Sequence, residues 1–298
     1  MKILITGGKG QLGSDCAQIL QKTHTLMSVD LEDIDIAVSS DVEKMVQDFL
    51  PDIIVNCAAY TQVDNCETAR EPAWKVNVAG PQNLGRCLQK HGGRLIHISS
   101  DYVFDGTKKT PEPYVEDDAP QPLSYYGLTK LESEKAVRRS IDQHIILRTA
   151  WMYGATGQNF LKTMLKMALT SPGKVIKVVC DQYGSPTWSQ RLAIQISELI
   201  DKNCQGTYHA TAEGYCAWYE LAKYFLEKMG VKHAVVPCTT DEYPTPALRP
   251  KNSILENRRL KEMGLNIMVP WQDDLDQFIS EYKEQLIDEV KTTLKIED

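Results

Sequence analysis

The first thirteen residues constrain this chain most. KILIT at 2 to 6 is a short apolar run with the length of a buried strand, and GGKGQLG follows at once, setting Gly7, Gly10 and Gly13 three residues apart. The stretch from Gln11 to Gln21 then reads as a helix. In a strand, glycine turn and helix of this order, backbone N–H groups at the helix N-terminus can hold a pyrophosphate. The absent side chains permit close approach and the helix dipole favours negative charge. A glycine triplet can also be a plain tight turn; its position directly after an apolar strand points instead to a dinucleotide-binding fold.

A second apolar strand, Thr25 to Val29, ends in Asp30, where such folds place a carboxylate on the adenine ribose hydroxyls. Leu31, Glu32 and Asp33 follow with no Arg or Lys beside them. Acidic groups there repel a 2′-phosphate, so NADH is expected to be accepted at least as readily as NADPH, with Lys9 the one nearby cation acting the other way. The plainer alternative for Asp30 is a strand-ending turn residue.

Strands and helices then alternate. SSDVEKMVQDFL at 39 to 50 opens with a capping box, Ser40 to Glu43, and passes after Pro51 into the strand DIIVNC. Pro72 to His91 reads as a helix, GRLIHISS as a strand, Asp101 to Ser124 as a Pro-, Asp- and Gly-rich loop, and HIILRT at 144 to 149 as another strand. This alternation predicts an α/β fold: a Rossmann-type parallel sheet with helices on both faces. After Trp151 the pattern loosens. A helix from Asn159 to Leu169, the strand KVIKVV and a helix near Ser189 to Asp201 remain α/β, but irregular strands and a Pro-rich stretch from Pro237 to Pro250 follow. The expected division is a dinucleotide-binding domain at 1–150, joined by about 175–205, and a smaller C-terminal substrate-binding α/β domain at 151–174 and 206–298. Ligands of open parallel sheets bind beyond the carboxyl ends of the strands, so the glycine loop, Ser99, Ser100 and the segment at 125 to 130 can share one cleft.

That segment, YYGLTK, carries Tyr126 and Lys130 four residues apart, on one face of a helix. An ammonium beside a phenol favours the ionised form and lowers its pKa from ~10, which suits a general acid/base at a carbonyl. The bland reading is an amphipathic helix with a solvated lysine.

Composition narrows the function classes. With 298 residues, 42% hydrophobic and 24% charged, the chain can bury a real core, while a net charge of −7 without any basic run excludes a nucleic-acid surface. Apolar stretches are too short to cross a bilayer, and a strand beginning at Lys2 leaves no room for a signal peptide, so a cytoplasmic protein is expected. Cys16, Cys57, Cys66, Cys87, Cys180, Cys204, Cys216 and Cys238 are scattered without a CxxC pair, which indicates neither a zinc site nor a disulfide framework.

The motifs TGGKGQLG, NCAAYTQVD, VNVAG, ISSDYVFDG, YYGLTK, RTAWMYG, DQYGSPT and PTPALRP follow one another over essentially the whole chain as in extended short-chain dehydrogenase/reductases. In that detail the chain resembles the dTDP-4-dehydrorhamnose reductase family. The resemblance implies reduction of the 4-keto group of dTDP-4-dehydro-6-deoxy-L-mannose to dTDP-L-rhamnose, with NADH or NADPH as hydride donor. Hydride arriving at a ketone develops an alkoxide, so the site must stabilise negative charge and deliver a proton. By resemblance, Tyr126 donates the proton, Lys130 lowers its pKa and holds the nicotinamide ribose, and Ser100 hydrogen-bonds the ketone oxygen, with Ser99 as the other candidate. It also implies that Gly10, Gln11, Leu12, Asp30, Asp35, Ile36, Ala59, Tyr60 and Thr61 line the cofactor site, Asp35 and Ile36 flanking the adenine. The same resemblance implies that Asp101, Tyr102, Trp151 and Gln182 belong to the substrate site and that Arg249 meets phosphate, where a guanidinium forms paired charge-assisted bonds. The plain alternatives are a core Trp151, a turn residue at Gln182 and a solvated Arg249.

One departure stands out. Some members of the family bridge two subunits with magnesium held by carboxylates, but here Asp15 is a shorter acid and TWSQRLA offers none, so no metal site is expected and the chain is read as a monomer or homodimer. Other readings are a ketoreductase giving a talose sugar, a sugar-nucleotide epimerase or dehydratase, and a binding protein resembling the regulatory subunit of methionine adenosyltransferase. A dehydratase usually carries an Asp-Glu pair where this chain has Asp101 and Tyr102. The intact set of Ser100, Tyr126 and Lys130 argues for catalysis over a binding role.

Overall fold

The computed structural model describes residues 1–171 and 173–297. Its main elements in chain order are β1 (Lys2–Thr6), α1 (Gln11–Leu20), β2 (Thr25–Val29), α2 (Ser39–Phe49), β3 (Ile53–Asn56), α3 (Gly80–His91), β4 (Arg94–Ser100), α4 (Tyr125–Ser140) and β5 (His144–Thr149). These are followed by α5 (Phe160–Thr170), β6 (Ile176–Val179), α6 (Ser189–Ile200), β7 (Gly206–His209), α7 (Trp218–Met229), β8 (Val235–Cys238) and α8 (Trp271–Glu297).

Six strands form one parallel sheet in the order β7-β5-β4-β3-β1-β2. Its central strands are apolar on both sides, as a sheet covered on both faces requires. Ile3, Ile5, Val55, Ile96 and Leu147 pack with Leu12, Cys16, Leu192 and Ile196 of α1 and α6. Leu4, Ile54, Leu95 and Ile146 pack with Val42, Val46, Leu84, Leu88 and Val137 of α2, α3 and α4 on the other side. From β1 the chain runs outward to β2 and then back past β1 to β3, so the strand order reverses beside β1 and a crevice opens at the carboxyl ends.

The second half has its own core, in which Leu161, Leu165, Ile176, Trp188, Phe225, Leu226, Leu275 and Phe278 meet. The strand pairing redraws the expected division of the chain. Gly206–His209, placed by sequence in the second half, pairs with β5 as the sixth strand of the main sheet, while Ile176–Val179, placed in the first, pairs with β8. Helices α7 and α8 stand where irregular strands were expected. Their buried faces, Leu221, Ala222, Phe225, Leu226 and Met229 in α7 and Leu275, Phe278, Ile279 and Leu286 in α8, recur at helical intervals.

The Ser40–Glu43 capping box does not form. Helix α2 begins at Ser39 after Val38, Ser40 turns to the Asp41 carboxylate at 3.4 Å, and Glu43 is drawn to Lys90 and His91 on the neighbouring helix. The segment expected as one helix from Pro72 to His91 is helical but takes a wider π turn at Lys75–Ala79. That turn carries Asn77, whose side chain accepts from Tyr60 N at 2.7 Å and donates to Tyr60 O at 3.1 Å, holding the loop after β3. Among the described residues no helix is long and apolar enough to cross a membrane.

Candidate active site

A cavity of ≈ 990 Å³ lies between the carboxyl ends of the main strands and the second half of the chain. One end is the glycine loop. Gly7 has φ +70° and no room for a side chain, since a Cβ would sit 2.7 Å from Ala58 N; a Cβ on Gly13 would sit 2.1 Å from Gly7 O. Only glycine lets α1 press this closely on the loop. Helix α1 starts from Gly10 without a side-chain cap and without an acid in its first turn, so its leading amides are left for an outside acceptor. A dinucleotide diphosphate fits that cradle.

Asp30, Asp35, Ile36, Ala59, Tyr60 and Thr61 line the same end. Asp30 does more than face a ribose: its carboxylate accepts from Lys9 N and Leu31 N, each at 2.8 Å, and so ties the glycine loop to the end of β2. Lys9 pairs with Glu32 at 2.9 Å, both side chains well exposed.

The other end holds Ser100, Asp101, Tyr102, Tyr126 and Lys130. Ser124 caps α4 by accepting from Gly127 N at 3.1 Å, and a Cβ on Gly127 would lie 2.2 Å from Tyr102 O, so the helix sits directly on the segment that follows β4. This fixes Tyr126 and Lys130 beside Ser100. The Lys130 ammonium is buried and donates to Ile98 O at 2.7 Å; burial lowers its pKa to about 8. Burial, reinforced by the Asp101 charge and partly offset by a hydrogen bond with Ser100, pushes the Tyr126 phenol above its ordinary range. That reverses the expected direction, because the ammonium is aimed at a backbone carbonyl and the phenol is governed by desolvation. Asp101 is raised to about 6, chiefly by burial, and accepts from Ser100 Oγ at 2.8 Å.

Ser99 and Ser100 face different neighbours, as successive strand residues do. Ser99 Oγ donates to Glu134 at 2.7 Å, and Glu134 also pairs with Arg148 through bonds of 2.7 and 2.8 Å. Ser100 is the hydroxyl beside the phenol.

Four residues complete the picture. Trp151 lines the cavity with φ +48° and stacks on Trp218, ring centroids 3.5 Å apart and planes 6° from parallel. Arg249 also lines it, but is neither free nor solvated: it donates to Asp64 at 2.8 Å and Ala247 O at 3.1 Å, and also to Thr245. The ion pair joins the loop before Pro250 to the segment after β3. Gln182 does not line the cavity; its buried amide donates to Thr240 Oγ1 at 3.1 Å, spent on packing within the second half. Asp15 is likewise turned inward, accepting from Ser189 Oγ at 2.5 Å. Sequence reasoning missed Trp218, Asp64 and Asn159, which donates to Gln11 Oε1 at 3.0 Å. Trp218 belongs to a stretch with no chemistry of its own, and Asp64 closes the NCAAYTQVD motif without a role of its own; only the fold brings Trp218 to the cleft and Asp64 to Arg249.

The family model described as RmlD substrate binding domain matches residues 1–284. The spore coat polysaccharide biosynthesis protein SpsK of Bacillus subtilis is 36% identical over 281 residues, covering 94% of this chain and 97% of that protein. A dTDP-4-dehydrorhamnose reductase from Clostridium acetobutylicum superposes with TM-score 0.92 at 41% identity, covering 95% of this chain and all (100%) of that one. A dTDP-4-dehydrorhamnose reductase from Bacillus anthracis, solved in complex with NADP, gives 0.91 at 37% identity and covers 94% and 99%.

Proposed function

The chain belongs to the family described as RmlD substrate binding domain, and from that premise we propose that it reduces the 4-keto group of dTDP-4-dehydro-6-deoxy-L-mannose to give dTDP-L-rhamnose. The carrying observation is one continuous cavity with a glycine-built phosphate cradle at one end and a buried phenol beside a serine hydroxyl and an ammonium at the other. A nicotinamide coenzyme held in the cradle would supply hydride to the ketone carbon. The chain's own residues do the rest. Ser100 Oγ, already at 2.8 Å from Asp101, is the hydroxyl able to hold the ketone oxygen, and Tyr126 hands the developing alkoxide its proton. Lys130 carries the positive charge that favours that transfer.

Residues 1–150 with α6 and β7 would hold the coenzyme, and the remainder would close over the sugar nucleotide, with Arg249 facing its diphosphate. Asp30 and Glu32 favour NADH at the adenine ribose, while Lys9, freed from Glu32, is able to meet a 2′-phosphate; both coenzymes are therefore proposed to serve, as the NADP bound to the Bacillus anthracis protein suggests. NADH oxidation dependent on the purified 4-keto sugar nucleotide, followed by identification of the sugar, tests this reading. Rhamnose supports it, talose replaces the product assignment, and no oxidation with either coenzyme would leave a binding protein.

A further inference from the structure

On the outer layer of the sheet, away from the cleft, three metal donors converge: a thiol, an imidazole and a carboxylate. Cys87 and His91 stand four residues apart on α3 and so project from one face of it, toward Glu43 on the packed neighbour α2. Cys87 Sγ lies 3.4 Å from Glu43 Oε2, His91 Nε2 lies 2.9 Å from Glu43 Oε1, and all three donor atoms fall within 4.8 Å of one another. Tetrahedral zinc with bonds of ~2.0–2.3 Å sets its ligands about 3.3–3.8 Å apart. None of the three lines the cleft.

We propose that Glu43, Cys87 and His91 form a binding site for a divalent ion of the zinc class, which braces α2 against α3. Thiolate, imidazole and carboxylate together suit zinc or cobalt(II) and not magnesium or calcium, which take oxygen ligands. Charge balances on binding: the Cys87 thiol releases one proton, the thiolate and the Glu43 carboxylate each carry −1, and the ion carries +2. Cys87 is buried while His91 keeps 22% of its side chain exposed, so the ion enters from the His91 side and water takes the fourth position. Beneath the site, Val42, Val46, Leu84 and Leu88 already hold the two helices together, which pre-organises the donors.

One group competes. The Lys90 ammonium bonds Glu43 Oε1 at 2.5 Å, and Gln47 Nε2 donates to the same oxygen at 2.9 Å. Lys90 is 64% exposed on a flexible stem and can swing into water when a divalent ion arrives. Its removal therefore probes Glu43 as a ligand, because losing the competing ammonium should tighten binding at that carboxylate, while the thiolate band reports Cys87 separately.

The test is titration of the full chain, first stripped with a chelator, with cobalt(II). One saturating equivalent should give a thiolate-to-cobalt charge-transfer band in the near ultraviolet, bleached by added zinc. Cys87→Ser should abolish the band, His91→Gln should weaken binding at least tenfold, and Lys90→Gln should tighten it severalfold. The exposed His91 keeps the test decisive even if the buried Cys87 variant fails to fold. Absence of a saturable band, a band undiminished in Cys87→Ser, or His91→Gln or Lys90→Gln binding like the wild type would each overturn the site.

Discussion

Replacing Arg249 separates a substrate-binding cap from a purely structural loop. In the structure its guanidinium spends one edge on Asp64 Oδ2, at 2.8 Å, and the other on Thr245 and Ala247 O. An incoming diphosphate must share or replace the Asp64 carboxylate, and in doing so meets a fork already half-buried and oriented. Two charge-assisted bonds of this kind contribute on the order of 1.5–3 kcal/mol, so Arg249→Ala should weaken dTDP roughly 10- to 160-fold. Asp64→Asn should act in the opposite sense and strengthen dTDP binding, because the guanidinium then waits without a competing anion. NADH affinity should be unchanged in both variants, since the glycine cradle lies at the other end of the cavity. Calorimetric titration with dTDP and with NADH separately checks this. Unchanged dTDP affinity in Arg249→Ala, or an equal loss for both ligands, would refute the reasoning: the first would make the ion pair a clasp with no substrate role, the second a clasp on which the whole cleft depends.

Tyr126→Phe should lower turnover about 10²-fold or more while leaving NADH binding intact, as loss of a general acid does; stopped-flow NADH oxidation checks it. Asp30→Ala should shift the ratio of NADH to NADPH affinity toward NADPH, on top of a loss common to both that follows from releasing Lys9 N, and fluorescence titration of the two coenzymes reads the ratio. Lys130→Met should abolish activity yet stabilise the fold at pH 7. The native ammonium is lowered from an ordinary 10.5 to about 8, so between those values the unfolded chain binds more protons and wild-type stability rises with pH. Below about 8 the full cost of burying the charge is borne, less the bond to Ile98 O, which suggests a gain on the order of 1–3 kcal/mol that fades by pH 10.5. Thermal melts across that range would show it; a destabilised variant at pH 7 would contradict the burial argument.

The legible parts of the fold were those in which one local rule suffices. Apolar runs such as Ile53–Val55 and a glycine loop straight after β1 point together to a doubly covered sheet, and Tyr126 and Lys130 four residues apart announce a helix with a reactive face. What escaped was set by partners distant in sequence. Glu43 forms a plausible capping box with Ser40 on paper, but two basic groups on α3 outcompete the Ser40 backbone N–H for its carboxylate. Helix α8 hides its periodic Leu275, Phe278, Ile279 and Leu286 among acids and lysines, so its composition reads as polar although one face is core. Gln182 sits inside a family motif and still faces Thr240, because motif membership says nothing about the direction a loop side chain takes. Asp64 and Arg249 are 185 positions apart, a pairing that no spacing rule can reach.

The protonation states at the reactive end follow from the same burial, and they bear on the direction of the chemistry. Sequence spacing alone suggests an ammonium that draws the phenol toward ionisation, which is the arrangement an alcohol oxidation needs, since there the phenolate is the base. In the folded chain the ammonium faces Ile98 O while desolvation and the Asp101 charge hold Tyr126 in its neutral form. A ketone reduction consumes a proton at the developing alkoxide, so its acid must be loaded before hydride arrives, and a phenol with a raised pKa is loaded at any cellular pH. The alkoxide is a stronger base than a phenolate, so the transfer still runs downhill. Lys130, lowered only to about 8, stays mainly cationic at neutral pH and can stabilise the phenolate once the proton has left. Burial thus keeps the acid neutral and the neighbouring charge positive, a pairing suited to reduction.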